Sequence, residues 1–430
     1  MAKLKSTTLC LLVLLTMAAR IVAADLLTAL SGHTATIANG VMHIIGGNTA
    51  TTVSNTTVPT NSHYTLDLTQ PFNTSSPPVA PVPGATSPTA PPPIAHHTSA
   101  LRSDNSSFVI WGGGTSSNYT NLLDPEIIYI YWTGNNTWTT EPIPVGPKQR
   151  RYHTAVINST DNTWFDIHGG VQDAQTGASA AATPVIQNTV WGCDTSAFTW
   201  SNLTASNVQL YQHSAIMLTN GHTIVLGGLQ QYVADSSPSV AQAFASMNQI
   251  QFYDSIAGVW STKTSSGETP PLRAGHSAVL TSENHILIYG GYGVDGQPLG
   301  DVYILDPSTL TWYQPNITGT APNPRYFHTA NYVNNQMIVV GGSGASNSIY
   351  NDVQVLSKVL GTTELASISS AYAWVNNFSP TGPSITVSNS PSSPTATAST
   401  PAKNAATERM SGITLVLLEV VIGLAIVVAF

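Results

Sequence analysis

Six histidines share one local setting: His33, His97, His153, His213, His276 and His328 each precede a Ser or Thr. An imidazole titrates near neutrality, so a reactive histidine is one chemistry that such a residue supports. The spacing argues for another role. Successive copies stand 64, 56, 60, 63 and 52 residues apart, and equivalent copies in a repeat cannot all be one active site. Zinc, phosphate-loop and Ser-His-Asp signatures do not occur. Of the two cysteines, Cys10 falls in an N-terminal leader, which leaves Cys193 and no internal disulfide.

The elements around each histidine repeat as well. The stretch "RAGHSAVLTSENHILIYGG" places two runs of strand length around a short polar turn and ends in a glycine pair. The pairs are Gly46-Gly47, Gly112-Gly113, Gly169-Gly170, Gly227-Gly228, Gly290-Gly291 and Gly341-Gly342. A second half then alternates, turns at an Asp-rich tetrapeptide and closes on Trp138, Trp200, Trp260, Trp312 or Trp374, with Phe72 in that place in the first unit. Four short antiparallel strands per unit, without helix signals, make an all-β blade. Six blades arranged radially leave only short protected edges.

His-Ser/Thr-Ala, diglycine, Tyr-x-x-Asp and Trp together resemble the kelch repeat. The resemblance covers about Ser31 to Trp374 and implies a kelch-type β-propeller of six four-stranded blades. The family's arginine three residues before the histidine stands at Arg150, Arg273 and Arg325, whereas Leu30, Ile94 and Leu210 replace it elsewhere. On this reading the diglycines turn the backbone where a side chain would clash. The histidines hydrogen-bond between strands or blades, and each Trp packs one sheet on the next.

Departures from the repeat are where recognition is expected. The connections Asn48 to His63, Thr115 to Glu126, Val171 to Gln187 and Leu229 to Asn248 are long and share one face, as loops on a rigid scaffold. Within the last, Gln230, Gln231, Tyr232 and Phe244 offer hydrogen bonding and aromatic stacking to a sugar or protein.

The expected function is non-catalytic binding of glycan or protein, without a cofactor. The main alternative is a copper radical oxidase, because galactose oxidase is built on a similar propeller. That likeness implies copper held by Tyr and His with a Tyr-Cys cross-link, for which Cys193, Tyr152 and His153 are the candidates. The family's extra C-terminal domain has no counterpart here. Sialidase-like chemistry would need paired carboxylates. Asp67, Asp194, Asp254 and Asp306 recur instead where turns are expected.

Composition frames the rest. The chain is 42% hydrophobic and 8% charged with a formal net charge of -8, so it has no basic footprint for nucleic acid. Residues 1–24 read as a secretory signal, 25–375 as the propeller with a Pro-rich surface excursion at 73–93, and 376–412 as a Ser/Thr/Pro-rich stalk. Residues 413–430 are an apolar tail, either a GPI-attachment signal or one transmembrane helix, that tethers the protein to the membrane at the cell surface. N-glycosylation sequons lie at Asn55, Asn73, Asn105, Asn118, Asn135, Asn158, Asn202, Asn316 and Asn377.

Overall fold

The computed structural model describes residues 27–51, 56–83, 87–115, 127–158, 163–177, 184–233, 240–359 and 372–382. The expected leader and tail, most of the stalk, Asn55 and Asn118 lie outside them. The described residues form no α-helix, and the two helical segments, Ala174–Thr176 and Ala345–Asn347, are single 3-10 turns. No helix among them is long and apolar enough to cross a membrane.

The fifth unit shows the plan. Ser277–Leu280, Ile286–Tyr289, Val302–Asp306 and Thr311–Tyr313 pair successively and antiparallel. Six sheets with this antiparallel order occur among the described residues. Their first strands, Thr34–Ala38, Thr98–Leu101, Thr154–Ile157, Ser214–Met217, Ser277–Leu280 and Thr329–Val333, contact one another in a closed circuit, so they line an axis. The last sheet is completed by Tyr372–Val375, so the sixth unit supplies its own fourth strand.

Alternation along the strands explains how neighbouring sheets adhere. At the five joints where the next unit has a tryptophan, the residue before the diglycine packs on it. Trp111 meets Trp200 edge-on at 5.4 Å, and Tyr289 meets Trp374 at 5.1 Å. Leu226 and Trp312 share one buried cluster, and Ile45 and Trp138 another. Burying such side chains stabilises each joint by about 1.5–3 kcal/mol apiece. At Gly290 an added Cβ would lie 2.5 Å from the Arg325 carbonyl of the following unit, and φ is +65°. Every diglycine shows the same pair of positive φ values.

Two expectations are corrected. The Pro-rich tract is not wholly a surface excursion, because its Val79–Pro81 is the fourth strand of the first sheet. Proline is acceptable there because an outer edge needs no further donor. Phe72 therefore does not take the tryptophan's place; Phe72–Asn73 pairs with Asn377–Phe378, from the start of the expected stalk. Phe378 is buried, stacked on Phe72 with ring centroids 5.0 Å apart.

Candidate binding face

The residue before each marker histidine builds the axial mouth. Gly32, His96, Tyr152, Gln212, Gly275 and Phe327 all have φ between +53° and +67°. For a residue with a side chain this costs about 1–2 kcal/mol. The return is a closed circle of main-chain hydrogen bonds. His96 N donates to Gly32 O, Tyr152 to His96, Gln212 to Tyr152, Gly275 to Gln212, Phe327 to Gly275, and Gly32 to Phe327, at 2.7 to 3.1 Å.

The marker histidines sit beside this circle. Five of them reach back to the hydroxyl that follows the preceding unit's histidine. His97 Nε2 lies 3.0 Å from Thr34 Oγ1, and His153, His213, His328 and His33 meet Thr98, Thr154, Ser277 and Thr329 in the same way. The sixth contact differs: Ser214 Oγ donates to the His276 carbonyl at 2.8 Å. Burial lowers the pKa of His33, His97, His213 and His276 to about 3, and His153 and His328 are also held well below the usual value, chiefly by burial. These imidazoles are neutral at pH 7. Together with the mouth residues they line an axial cavity of about 140 Å³.

An aromatic collar surrounds the mouth. Tyr152 stacks on Phe327 at 5.4 Å, and His96 packs on both at 4.1 and 4.9 Å. Tyr292 and Tyr326 meet Phe327 edge-on. Arg151 bridges to Asp173 at 2.7 Å and donates to the Tyr152 hydroxyl at 3.1 Å, so the cation at the mouth is neutralised.

The described parts of three long connections, those beginning at Asn48, Val171 and Leu229, start on this side, since each follows a second strand that returns to the mouth. Of Thr115 to Glu126 only Thr115 is among the described residues. All three contain paired β-ribbons where the sequence suggested loops: Asn48–Ala50 with Thr57–Pro59, Val171–Gln172 with Val185–Ile186, and Leu229–Val233 with Val240–Phe244. Gln230 and Gln231 lie half-buried on the last ribbon. Phe244 reaches the collar, 5.8 Å from Tyr292. Tyr232 is in the ribbon backbone, and its side chain lies outside the described residues. The sequence pointed to Tyr152 only as a candidate copper ligand, and it gave no site role to His96, Gln212, Tyr292, Tyr326 and Phe327; their common signal was adjacency to a repeat marker or a diglycine.

The remaining candidates are dispersed. Asp194, Asp254 and Asp306 accept main-chain N–H groups two residues on, in tight turns at the far ends of their strands. Trp138, Trp312 and Trp374 are buried, whereas Trp200 and Trp260 are half-buried. Asn73, Asn105, Asn135, Asn202, Asn316 and Asn377 are exposed, and Asn158 is half-buried.

Cys193 is 0% exposed among Phe165, Trp200 and Ile167, and burial pushes its thiol pKa upward. Tyr152 belongs to a different cluster, with Val171, Tyr211 and Leu229. Among the described residues no three His, Cys, Asp or Glu side chains are placed to hold a metal ion. We therefore expect Cys193 to react with a thiol reagent only on unfolding. Labelling in native buffer at the rate of a free peptide thiol would contradict this burial.

The family described as "KLHDC2/KLHL20/DRC7 Kelch-repeats domain" matches residues 32–237 and 213–372. Host cell factor 1 of Homo sapiens is 41% identical over 88 residues, which are 19% of this chain and 4% of that protein. The Rab9 effector protein with kelch motifs of Rattus norvegicus is 31% identical over 136 residues, 31% of this chain and 33% of that protein. The chain thus spans a small part of the former and a third of the latter. A solved structure titled "Structure of YjhT" superposes with a TM-score of 0.55 at 14% identity, covering 77% of this chain and 96% of that one; it shows the fold alone.

Proposed function

The chain belongs to the kelch-repeat domain family, and from that premise we propose that it is a non-catalytic interaction module binding protein or glycan through its axial face. The observation that carries this reading is the collar. His96, Tyr152, Tyr292, Tyr326 and Phe327 surround a mouth whose nearby charges, Arg151 and Asp173, are already paired. Aromatic and amide groups held rigidly around a pit favour contacts of large area and low ordering cost. Names of relatives such as the Rab9 effector point towards a protein partner. The secretory leader, the Ser/Thr-rich stalk and the apolar tail favour presentation at a cell surface.

The test is capture of partners from a surface extract and from a glycan array by the purified propeller. Replacing Phe327 and Gln231 by Ala should weaken any captured interaction at least tenfold, about 1.4 kcal/mol. Replacing Ile256 and Val259, exposed on a hairpin at the opposite end, should leave it unchanged. Equal loss in both variants, with folding intact, would move the binding surface elsewhere. Release from cells by a phosphatidylinositol-specific phospholipase would establish a GPI anchor, and retention would favour a membrane helix.

A further inference from the structure

The joints around the ring are not equivalent. At the residue before the diglycine, five units carry Ile45, Trp111, Leu226, Tyr289 and Val340, but the third carries His168. Two residues earlier, on the same face of that strand, stands Asp166. Both are buried, at 2% and 1% exposure. His168 packs edge-on against Tyr253 and Trp260 of the fourth unit, at 5.8 and 5.7 Å. Neither of its ring nitrogens has a hydrogen-bond partner, and neither does Asp166 Oδ2. Among the described residues, the buried apolar cluster at this joint is small, comprising Leu210, Val225 and Ala245 with Val208, Ala215 and Trp260 packed against them.

Among the described residues, no neighbouring group supplies a counter-charge. Gly192, opposite Asp166 in the sheet, makes room for the carboxyl: a Cβ there would lie 3.1 Å from Asp166 Oδ1. Across the joint, Tyr253 feels the Asp166 charge, with Asp254 and its contact His222 beyond it. His213 lies near His168, and both are held neutral by burial. A cavity of about 10 Å³, lined by His168, Asn188, Ser206 and Trp260 among others, has room for roughly one water. At the joint between the first and second units, by contrast, the buried His43 and His63 of the first unit pack on Tyr131 and are joined to each other by a 3.0 Å hydrogen bond.

We propose that the joint between the third and fourth units is the ring's proton-responsive opening point, tight while Asp166 is a neutral acid and loosened by entering water when Asp166 is a carboxylate. An unpaired carboxylate is too costly to keep dry, whereas the neutral acid is tolerated. Burial raises the Asp166 pKa from 3.8 to about 7. A folded-state value above the unfolded one means the folded form holds the extra proton. Stability at this joint is therefore greatest at low pH and is lost as pH rises through about 7.

Hydrogen–deuterium exchange of the full chain at pH 5.5 and 8.5, corrected for intrinsic rates, tests this. Peptides covering Trp164–His168 and Gln249–Asp254 should lose about thirty-fold in protection between the two values, while Ile286–Tyr289 and Val302–Asp306 should not. Asp166→Asn should remove the dependence. Equal losses at both sets, no loss at either, or a full loss retained in Asp166→Asn would each overturn the proposal. If that variant fails to fold, the comparison between joints in the unaltered protein decides.

Discussion

Asp352→Ala is expected to lower the unfolding free energy by about 3–5 kcal/mol, measured by denaturant titration at pH 7. Arg325 is 0% exposed and donates from Nη1 and Nη2 to the two Asp352 oxygens at 2.7 and 2.9 Å. Removing the carboxylate strands a buried cation, a far larger loss than that of a surface ion pair. Burial alone pushes the Asp352 pKa up, but hydrogen bonding and charge from Arg325, with a bond from Gln354, hold it below the ordinary value. Its contribution is thus present above the unfolded-state pKa and disappears as pH falls through the lower folded value. This sign is opposite to that of Asp166. The third unit provides an internal control. There the equivalent Arg150 faces Thr189 and donates to its hydroxyl at 3.0 Å, and burial lowers the arginine's pKa to about 10. Thr189→Asp should stabilise the protein, and a loss there would show that these arginines do not need a carboxylate.

The second large effect concerns the clasp between the ring's first and last units. Phe378→Ala should cost about 3–5 kcal/mol, because it empties a site filled by a stacked and buried ring. The adjoining chain is fastened by Gln336 Nε2 donating to Ser379 O and Asn334 Nδ2 donating to Pro380 O, each at 2.6 Å. The surroundings therefore cannot simply collapse into the gap. A midpoint lowered in denaturant with an unchanged slope is the expected reading. A change under 1 kcal/mol would mean that Asn377–Phe378 lies on the ring without holding it.

The repeat was legible because its markers need particular side chains. Diglycine answers a backbone clash such as that at Gly290, and tryptophan fills the gap between sheets, so both recur as letters. The mouth was hidden for the converse reason. Gly32, His96, Tyr152, Gln212, Gly275 and Phe327 share a backbone conformation and a pair of main-chain groups, and no side-chain type announces either. Val79–Pro81 was hidden because its composition reads as a linker, while its role requires only an outer edge. Phe378 was read as stalk because the Ser/Thr/Pro-rich composition begins close behind it. Asp166 and His168, by contrast, stood in plain view as polar residues in a strand whose counterparts are mostly apolar. What the letters could not convey was that no partner awaited them.

The six main-chain bonds at the mouth all run in one rotational sense. In an open stack of repeats, the terminal members would leave a donor and an acceptor unmet and would require polar caps. Here Gly32 donates to Phe327, and the circulation has neither head nor tail from which to fray. Tangential peptide dipoles summed around such a loop cancel, so the pit gains no field of the kind that concentrates ions at a helix terminus. If the proposed partner docks there, its contour and its aromatic or amide groups should sort it, with its net charge counting for little.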